Sequence, residues 1–84
     1  MKNIQVYTTN QCPYCINAKK LLKAKGVNFE DINISDDEMY MLNKLAKKSG
    51  VYTVPQIYID GKFVGGCDDL YQLERQNKLD EILK

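Results

Sequence analysis

Two cysteines separated by two residues, in the segment Cys12–Cys15 (CPYC), lie where one local pattern gives way to another. Residues 4–7 (IQVY) alternate in character with a period of two, which is typical of a short strand. From Pro13 to Lys25 the apolar side chains recur at helical spacing. Proline suits the first position of a helix, because its missing N–H would be unpaired there anyway. We therefore predict that the cysteine pair lies at the start of a helix that directly follows a strand.

The middle of the chain predicts a second strand and a second helix. Gly26 should end the first helix, and residues 29–34 are strand-like. Ser35, followed three residues later by Glu38, matches the capping box at the start of many helices. We expect that helix to run to about residue 48, with Gly50 after it. Its buried face is predicted to carry Met39, Leu42 and Ala46, or the neighbouring stripe from Met41 to Leu45.

A hairpin is predicted next. Residues 55–59 (PQIYI) and residues 62–64 (KFV) are strand-like, and the two residues between them are Asp60 and Gly61. Asp-Gly between two such runs is a strong indication of a two-residue turn, because both positions require a positive φ.

The C-terminal part predicts two more helical segments. The glycines at 65 and 66 end the strand pattern, and Asp68 could cap a helix that carries Leu70 and Leu73. Residues 79–83 should form a short closing helical turn. The element order is therefore β-α-β-α-β-β-α. It predicts an α/β fold, with a mixed four-stranded sheet flanked by helices on both faces.

Size and composition narrow the class of protein. The 84 residues (9.7 kDa) leave room for a single domain, expected to span 1–84. Apolar residues make up 44% and charged residues 27%, as in folded soluble chains. No apolar run approaches the roughly 20 residues that span a bilayer. Because the N-terminal residues also lack an apolar stretch of signal-peptide length, we expect a cytoplasmic protein with no membrane partner.

The charge is unevenly distributed. Residues 1–25 contain five lysines and no acid, whereas residues 26–84 contain seven bases and eleven acids. A solvated helix face is the favoured interpretation over a nucleic-acid patch, because no aromatic residues interleave with the lysines and the whole chain carries only +1. A third possibility is that these lysines steer an anionic substrate or an acidic partner towards Cys12.

The spacing of the two cysteines suits thiol–disulfide exchange. At a helix start, unpaired backbone N–H groups favour a thiolate, and the pKa of such cysteines falls to roughly 3.5–7.5. Cys12 occupies that position and is the predicted nucleophile. Cys15, one turn further into the helix, can resolve a mixed disulfide on Cys12. With an odd number of cysteines and no histidine, neither a secreted disulfide scaffold nor a Cys–His pair fits.

The alternative for the cysteine pair is a metal half-site. A closed zinc site needs four ligands, and only Cys67 remains to join the pair. Zinc within one chain is therefore disfavoured, and we expect no metal. A cluster bridged between two chains stays open.

Three segments together resemble the glutaredoxins, most closely the short bacterial dithiol class. They are CPYC at 12–15, TVPQIYIDGK at 53–62 and GGCDDL at 65–70, in the right order and at the right spacing. The resemblance implies a thioredoxin-like fold and a glutathione-dependent enzyme that reduces protein disulfides and protein–glutathione mixed disulfides. It implies glutathione as co-substrate, no tightly bound cofactor, and a monomer whose partners are disulfide-containing or glutathionylated proteins, not nucleic acid.

The resemblance also implies a glutathione site. Its residues would be Tyr14, Thr53, Val54, Pro55, Gly66, Cys67 and Asp68. In the family the Val54–Pro55 bond is cis, although the local pattern alone permits a trans proline at a strand edge. A cis bond would let the Val54 backbone pair with an extended peptide. Backbone N–H groups at 67 and 68 suit the γ-glutamyl carboxylate, and the Asp68 carboxylate suits the adjacent ammonium.

Some assignments keep an alternative. Asp68 could be a plain helix cap, and Cys67 could be a regulatory thiol instead of a small residue whose backbone matters. Many relatives have basic residues where this chain has Thr9 and Val51. The resemblance implies that these basic residues contact the glycine carboxylate of glutathione, and the residues available to replace them here are Gln11, Lys47 and Lys48.

Two rival functions use the same fold or the same cysteines. One is a small redoxin reduced by a flavoprotein, which the joint presence of CPYC, TVP and GGCDD disfavours. The other is a dimeric iron–sulfur carrier with Cys12 and glutathione as ligands, which Pro13 disfavours, because cluster-binding relatives more often have a small residue there.

Overall fold

The computed structural model describes residues 2–84, and their element order matches the predicted one. The elements are β1 (Ile4–Thr8), α1 (Pro13–Ala24), β2 (Glu30–Asn33), α2 (Glu38–Ser49), β3 (Gln56–Ile59), β4 (Lys62–Gly65), α3 (Cys67–Arg75) and α4 (Leu79–Leu83). A short 3₁₀ turn, Ser35–Asp37, precedes α2. The second and third strands are shorter at their starts than predicted. Pro55 lies outside β3, as expected of a residue that cannot donate to a strand ladder.

The four strands form one mixed sheet in the order β2-β1-β3-β4. Strand β1 pairs with β2 in parallel and with β3 in antiparallel orientation. The β3–β4 pair is antiparallel and turns at Asp60 and Gly61, whose φ values of 52° and 82° are those that the Asp-Gly turn requires. The predicted parallel pair and the predicted hairpin are therefore both confirmed.

Each face of the sheet is covered by helices. One core cluster joins β1 and β3 to α1, α3 and α4, and among its members are Val6, Leu22, Ile57, Leu70 and Leu79. The other cluster joins the opposite face to α2 and consists of Ile34, Leu42, Leu45 and Tyr58. All four residues of the central strand β3 are buried, because this strand has a covered layer on both sides.

Helix α1 begins and ends as its sequence predicts. Pro13 is its first residue and Cys12 its N-cap. The chain leaves the helix through Gly26, whose φ of +73° favours glycine. This start places Cys12 just beyond the end of β1, where the backbone of α1 opens towards solvent.

The prediction of a capping box at Ser35 is wrong. No side chain caps α2, whose N-cap is Asp37. The Ser35 hydroxyl oxygen instead accepts a hydrogen bond from the N–H of Asn10, at 2.7 Å. Ser35 therefore fastens the loop before the cysteine pair, and the helix starts at Glu38, two residues later than a cap at Ser35 predicts.

The buried face of α2 combines one residue from each predicted stripe. Leu42 and Leu45, three positions apart, are buried, whereas Met39 is 71% exposed. Assigning Met39, in the first turn of α2, to the core is therefore wrong.

The helix cap assigned to Asp68 is also wrong. The N-cap of α3 is Gly66. Asp69 is the acid that reaches back, and its carboxylate accepts the N–H of Gly66 at 2.9 Å. Asp68 is therefore left with its carboxylate exposed on the first turn of α3.

Candidate active site

The two cysteines of the CPYC segment form a disulfide across the first turn of α1, with their Cα atoms 5.2 Å apart. They differ sharply in access. Cys12 is partly exposed, whereas Cys15 is 1% exposed and packs beneath it. Once the disulfide is reduced, Cys12 is the sulfur of the pair that an incoming partner can reach.

The start of α1 favours negative charge on Cys12. The backbone N–H of Cys15 donates a hydrogen bond to Cys12 Sγ at 3.1 Å. Cys12 has an extended backbone (φ −116°, ψ 98°), so its side chain lies over the open end of the helix. No acidic residue occupies the first turn of α1. Amide N–H groups and the positive end of the helix dipole therefore act on this sulfur without a competing carboxylate nearby in the helix.

A groove of about 410 Å³ lies beside the CPYC segment. Its lining includes every residue of the predicted glutathione site, namely Tyr14, Thr53, Val54, Pro55, Gly66, Cys67 and Asp68. Three further residues line it that the sequence analysis did not assign to the site: Val51, Phe63 and Asp69. The structure thus brings the three motif segments, which are far apart in sequence, to a single concave surface.

One wall of the groove is the loop before β3, in which the Val54–Pro55 peptide bond is cis. The buried amide of Gln56 holds this loop. Its Nε2 donates to the carbonyl oxygens of Val51 (3.2 Å) and Thr53 (3.0 Å). Gln56 had no predicted role, although a polar residue at the start of an otherwise apolar strand indicates one.

Tyr58 completes this support. Its hydroxyl donates to Oε1 of Gln56 at 2.9 Å, and its ring packs edge-on against Tyr7 and tilted against Phe63. Burial raises the pKa of the Tyr58 phenol, so it stays protonated and can donate. The loop is therefore anchored to the core by an amide with all its polar atoms engaged.

The opposite wall is the turn from β4 into α3. Gly65 has a φ of +147°, and a Cβ there would collide with the Asp69 side chain. A Cβ at Gly66 would lie 3.2 Å from the carbonyl oxygen of Pro55. Gly66 therefore lets the two walls approach each other closely, while Gly65 leaves room for the Asp69 side chain within its own wall.

Cys67 lines the groove as a buried residue. Its side chain is 6% exposed. Burial raises the pKa of its thiol, and the charge of Asp68 adds to that shift. A buried thiol that stays protonated is a poor nucleophile, which favours the small-residue interpretation over the regulatory one.

Two of the five lysines near the N-terminus, Lys19 and Lys25, form ion pairs. Lys19 Nζ lies 2.7 Å from the Asp31 carboxylate, and Lys25 pairs with Glu74 and Asp80 at 2.6 and 3.1 Å. Such ion pairs are typical of a solvated protein surface, and a lysine that is paired with an acid has less positive charge available to bind a nucleic acid. Burial alone would raise the pKa of Asp31, but hydrogen bonds from Lys19 and Thr8 outweigh it and lower that pKa.

Across residues 2–84, no three Cys, Asp or Glu side chains are grouped as they would be to hold a metal ion. Nor does this described part of the chain contain a helix long and apolar enough to cross a membrane.

Comparisons with known proteins agree with the geometry. A glutaredoxin family profile matches residues 4–64. Glutaredoxin 3 of Escherichia coli K12 is 48% identical over 84 residues, the whole of both chains. A glutaredoxin of Pseudomonas aeruginosa is 52% identical over 83 residues, covering 99% of this chain and 98% of that relative.

Solved structures give the same result. The buckwheat glutaredoxin–glutathione complex superposes with a TM-score of 0.89 at 32% identity, covering 98% of this chain and 76% of that one. The glutaredoxin of Brucella melitensis superposes with a TM-score of 0.85 at 45% identity, covering 98% and 88%. The fold is therefore the thioredoxin-like fold of these proteins. With its full-length match and its dithiol pair, the chain belongs to the glutaredoxins, the glutathione-dependent thiol–disulfide oxidoreductases.

Proposed function

We propose that Cys12 is the nucleophile of this glutaredoxin, that Cys15 is its resolving thiol, and that the groove beside them binds glutathione. One observation carries the assignment of roles. The N–H of Cys15 donates to Cys12 Sγ, while the Cys15 sulfur itself is buried. The same turn of helix thus stabilises an anion at one sulfur and keeps the other out of reach of large substrates.

With a protein–glutathione mixed disulfide, the Cys12 thiolate attacks the glutathione sulfur. The S–S bond breaks, the protein leaves as a thiolate that takes up a proton, and Cys12 holds glutathione as a new mixed disulfide. The thiolate of a second glutathione then attacks that sulfur. This step yields glutathione disulfide and regenerates the Cys12 thiolate. Overall, one free glutathione is consumed, and the other half of the glutathione disulfide comes from the substrate.

With a protein disulfide, Cys12 first forms a mixed disulfide with the protein. Cys15 then attacks Cys12, releases the substrate as a dithiol and leaves the Cys12–Cys15 disulfide. Two glutathione molecules reduce that disulfide in turn. The 5.2 Å separation of the Cα atoms supports this second route, because the pair can bond within one helical turn.

The groove offers complementary groups for glutathione. The Val54 backbone can pair with the extended cysteinyl residue, and Tyr14 and Thr53 flank that position. The start of α3 at Cys67 suits the γ-glutamyl carboxylate, and the exposed carboxylate of Asp68 suits its ammonium. That a buckwheat relative was solved as a glutathione complex supports this placement.

The setting follows from the chemistry. Turnover requires a pool of reduced glutathione, which favours the cytoplasm. One mixed sheet with a core on each face favours a single domain over 1–84, acting as a monomer on glutathionylated or disulfide-containing proteins.

The test compares two serine variants. We expect Cys12→Ser to abolish all turnover. Cys15→Ser should retain reduction of a glutathionylated peptide and lose most reduction of an intramolecular protein disulfide. Rates with both substrates, measured at fixed glutathione, separate the two roles. Equal loss of deglutathionylation in both variants would contradict the assignment.

A further inference from the structure

The loop between β1 and the cysteine pair is tied to the end of β2 by a ring of three hydrogen bonds. The Asn10 N–H donates to Ser35 Oγ at 2.7 Å, and the Ser35 N–H donates to Asn33 Oδ1 at 2.9 Å. Asn33 Nδ2 closes the ring by donating to Asn10 Oδ1, also at 2.9 Å. One such exposed bond contributes little, but each bond of a closed ring orients the groups that make the next one. We call Asn10, Asn33 and Ser35 the polar clasp.

The β2 side of the polar clasp belongs to a well-anchored part of the fold. Asn33 lies opposite Thr8, the last residue of β1, in the parallel strand pair. The next residue, Ile34, is 4% exposed and belongs to the core cluster that includes Leu42. Its N–H donates to the Thr8 carbonyl oxygen at 2.8 Å. The polar clasp therefore ties the loop to the core of the sheet and not to a second surface loop.

Gln11 is the single residue between the polar clasp and Cys12. Its φ of +55° is in the left-handed region, which residues other than glycine rarely adopt, so the surrounding contacts must hold it there. Cys12 follows with an extended backbone (φ −116°, ψ 98°), and its sulfur lies 3.1 Å from the backbone nitrogen of Cys15. The direction of the Cys12 side chain over the helix end thus depends on a turn that the polar clasp holds from its upstream side.

Resting on the proposed role of Cys12 as nucleophile, we propose that Asn33 is a positioning residue that, through Asn10, holds the Cys12 sulfur against the open N–H groups of α1. Asn33 does not line the groove, so its effect on the reaction passes through the loop that it holds. Without the polar clasp, Gln11 can leave its left-handed conformation, and the Cys15 N–H no longer points at the Cys12 sulfur. A thiolate that loses a charge-assisted hydrogen bond takes up a proton more readily, so the pKa of Cys12 should rise.

The test measures alkylation of Cys12 by iodoacetamide from about pH 5 to about pH 10. It uses the full chain carrying Cys15→Ser, which leaves Cys12 as the accessible thiol because Cys67 is buried. Asn33→Ala should lower the rate about threefold or more at pH values below the midpoint of the unchanged profile, where little thiolate is present. The two rates should converge at high pH, where every molecule is ionised. Asn28→Ala, which removes an exposed amide just before β2, is the matched control and should leave the profile unchanged.

Three outcomes would overturn the inference. Overlapping profiles for Asn33→Ala and the unchanged protein would show that the polar clasp does not act on the Cys12 proton. A loss by the same factor at every pH would show hindered access to the sulfur instead. Because Asn10→Ala breaks the same ring from its other side, Asn10→Ala/Asn33→Ala should react no more slowly than Asn33→Ala alone, and additive losses would be the third. If Cys12→Ser kept its turnover, the proposed function itself would fail, whereas with Cys12 essential these outcomes count against the polar clasp alone.

Discussion

Gln56 Nε2 lies 3.0 Å from the carbonyl oxygen of Thr53, so a fully buried amide holds the wall of the groove from behind. The same nitrogen also donates to Val51. Gln56 does not itself line the groove. It is a positioning residue, because its effect on a bound ligand passes through the loop that it holds.

We expect Gln56→Leu to raise KM for a glutathione mixed disulfide about three- to tenfold, since the loop loses both hydrogen bonds. The free energy of unfolding should fall by about 1–3 kcal/mol, because the buried Tyr58 hydroxyl loses its acceptor. Alkylation of Cys12 by iodoacetamide should keep its rate, since α1 is untouched.

Gln56→Glu sharpens this prediction. A buried glutamate beside two carbonyl oxygens takes up a proton, so it still accepts from Tyr58 but donates one hydrogen bond where the amide donates two, and it should also raise KM. The exposed Gln76→Leu is the matched control. A fall in Cys12 alkylation that parallels the rise in KM would point to general disruption and contradict a specific role in the groove.

The buried thiol of Cys67 should react slowly. Because burial raises its pKa, the thiol is neutral at pH 7–8 and forms thiolate only at higher pH. In a Cys12→Ser/Cys15→Ser background, where Cys67 is the remaining cysteine, alkylation should be much slower than that of a free cysteine. Its rate should rise only as the pH exceeds the ordinary value of 9.0. Rapid alkylation at neutral pH would revive a regulatory role.

Alanine substitutions of two adjacent acids of α3 should affect different properties, one stability and the other activity. Asp69→Ala removes the hydrogen bond to Gly66 and should cost about 1 kcal/mol of stability, as for a lost helix cap. Asp68→Ala should instead lower kcat/KM for glutathionylated substrates about tenfold with a smaller effect on stability. Chemical denaturation and kinetics on the pair measure both effects, and reversed outcomes would exchange the roles given to the two residues.

The Lys19–Asp31 pair should contribute stability that depends on pH. Hydrogen bonds hold the pKa of Asp31 below its ordinary 3.8. Its contribution is therefore present above that pH and is lost as the pH falls further, through the lowered value. Because both side chains are partly exposed, Asp31→Asn should cost no more than about 1 kcal/mol at pH 7. In urea unfolding, the gap from the unchanged protein should shrink below about pH 4, and Asp36→Asn is the control.

Patterns of short range in sequence predicted most of the fold. Pro13 marks the start of α1 through its fixed φ, and Gly26 marks its end through a positive φ that other residues rarely adopt. The Asp60–Gly61 turn likewise has the φ values that its residues favour. The prediction of a helix cap at Ser35 failed because its hydroxyl oxygen accepts a hydrogen bond from the N–H of Asn10. Asn10 is 25 residues away, so no local sequence pattern indicates that contact. Asp68 and Asp69 have the same side chain, so sequence alone does not distinguish them. The path of the chain at Gly66 brings the Asp69 carboxylate, and not that of Asp68, to the Gly66 N–H.

The same division applies to the site. The cysteine pair is a local feature, and its position at a helix start was predictable from the sequence. The seven groove residues came from family resemblance, not from spacing. Gln56 was missed because its hydrogen bonds to the groove wall depend on how the loop before β3 packs against the rest of the chain.

The unequal exposure of the sulfurs limits which intermolecular disulfides can form when these molecules are oxidised. Three thiols per chain would ordinarily permit branched, cross-linked networks. Because Cys15 and Cys67 are both buried, each reduced molecule has one accessible reactive thiol, that of Cys12. Covalent self-association through sulfur must then stop at pairs, and a second thiol of either molecule can reopen the bond.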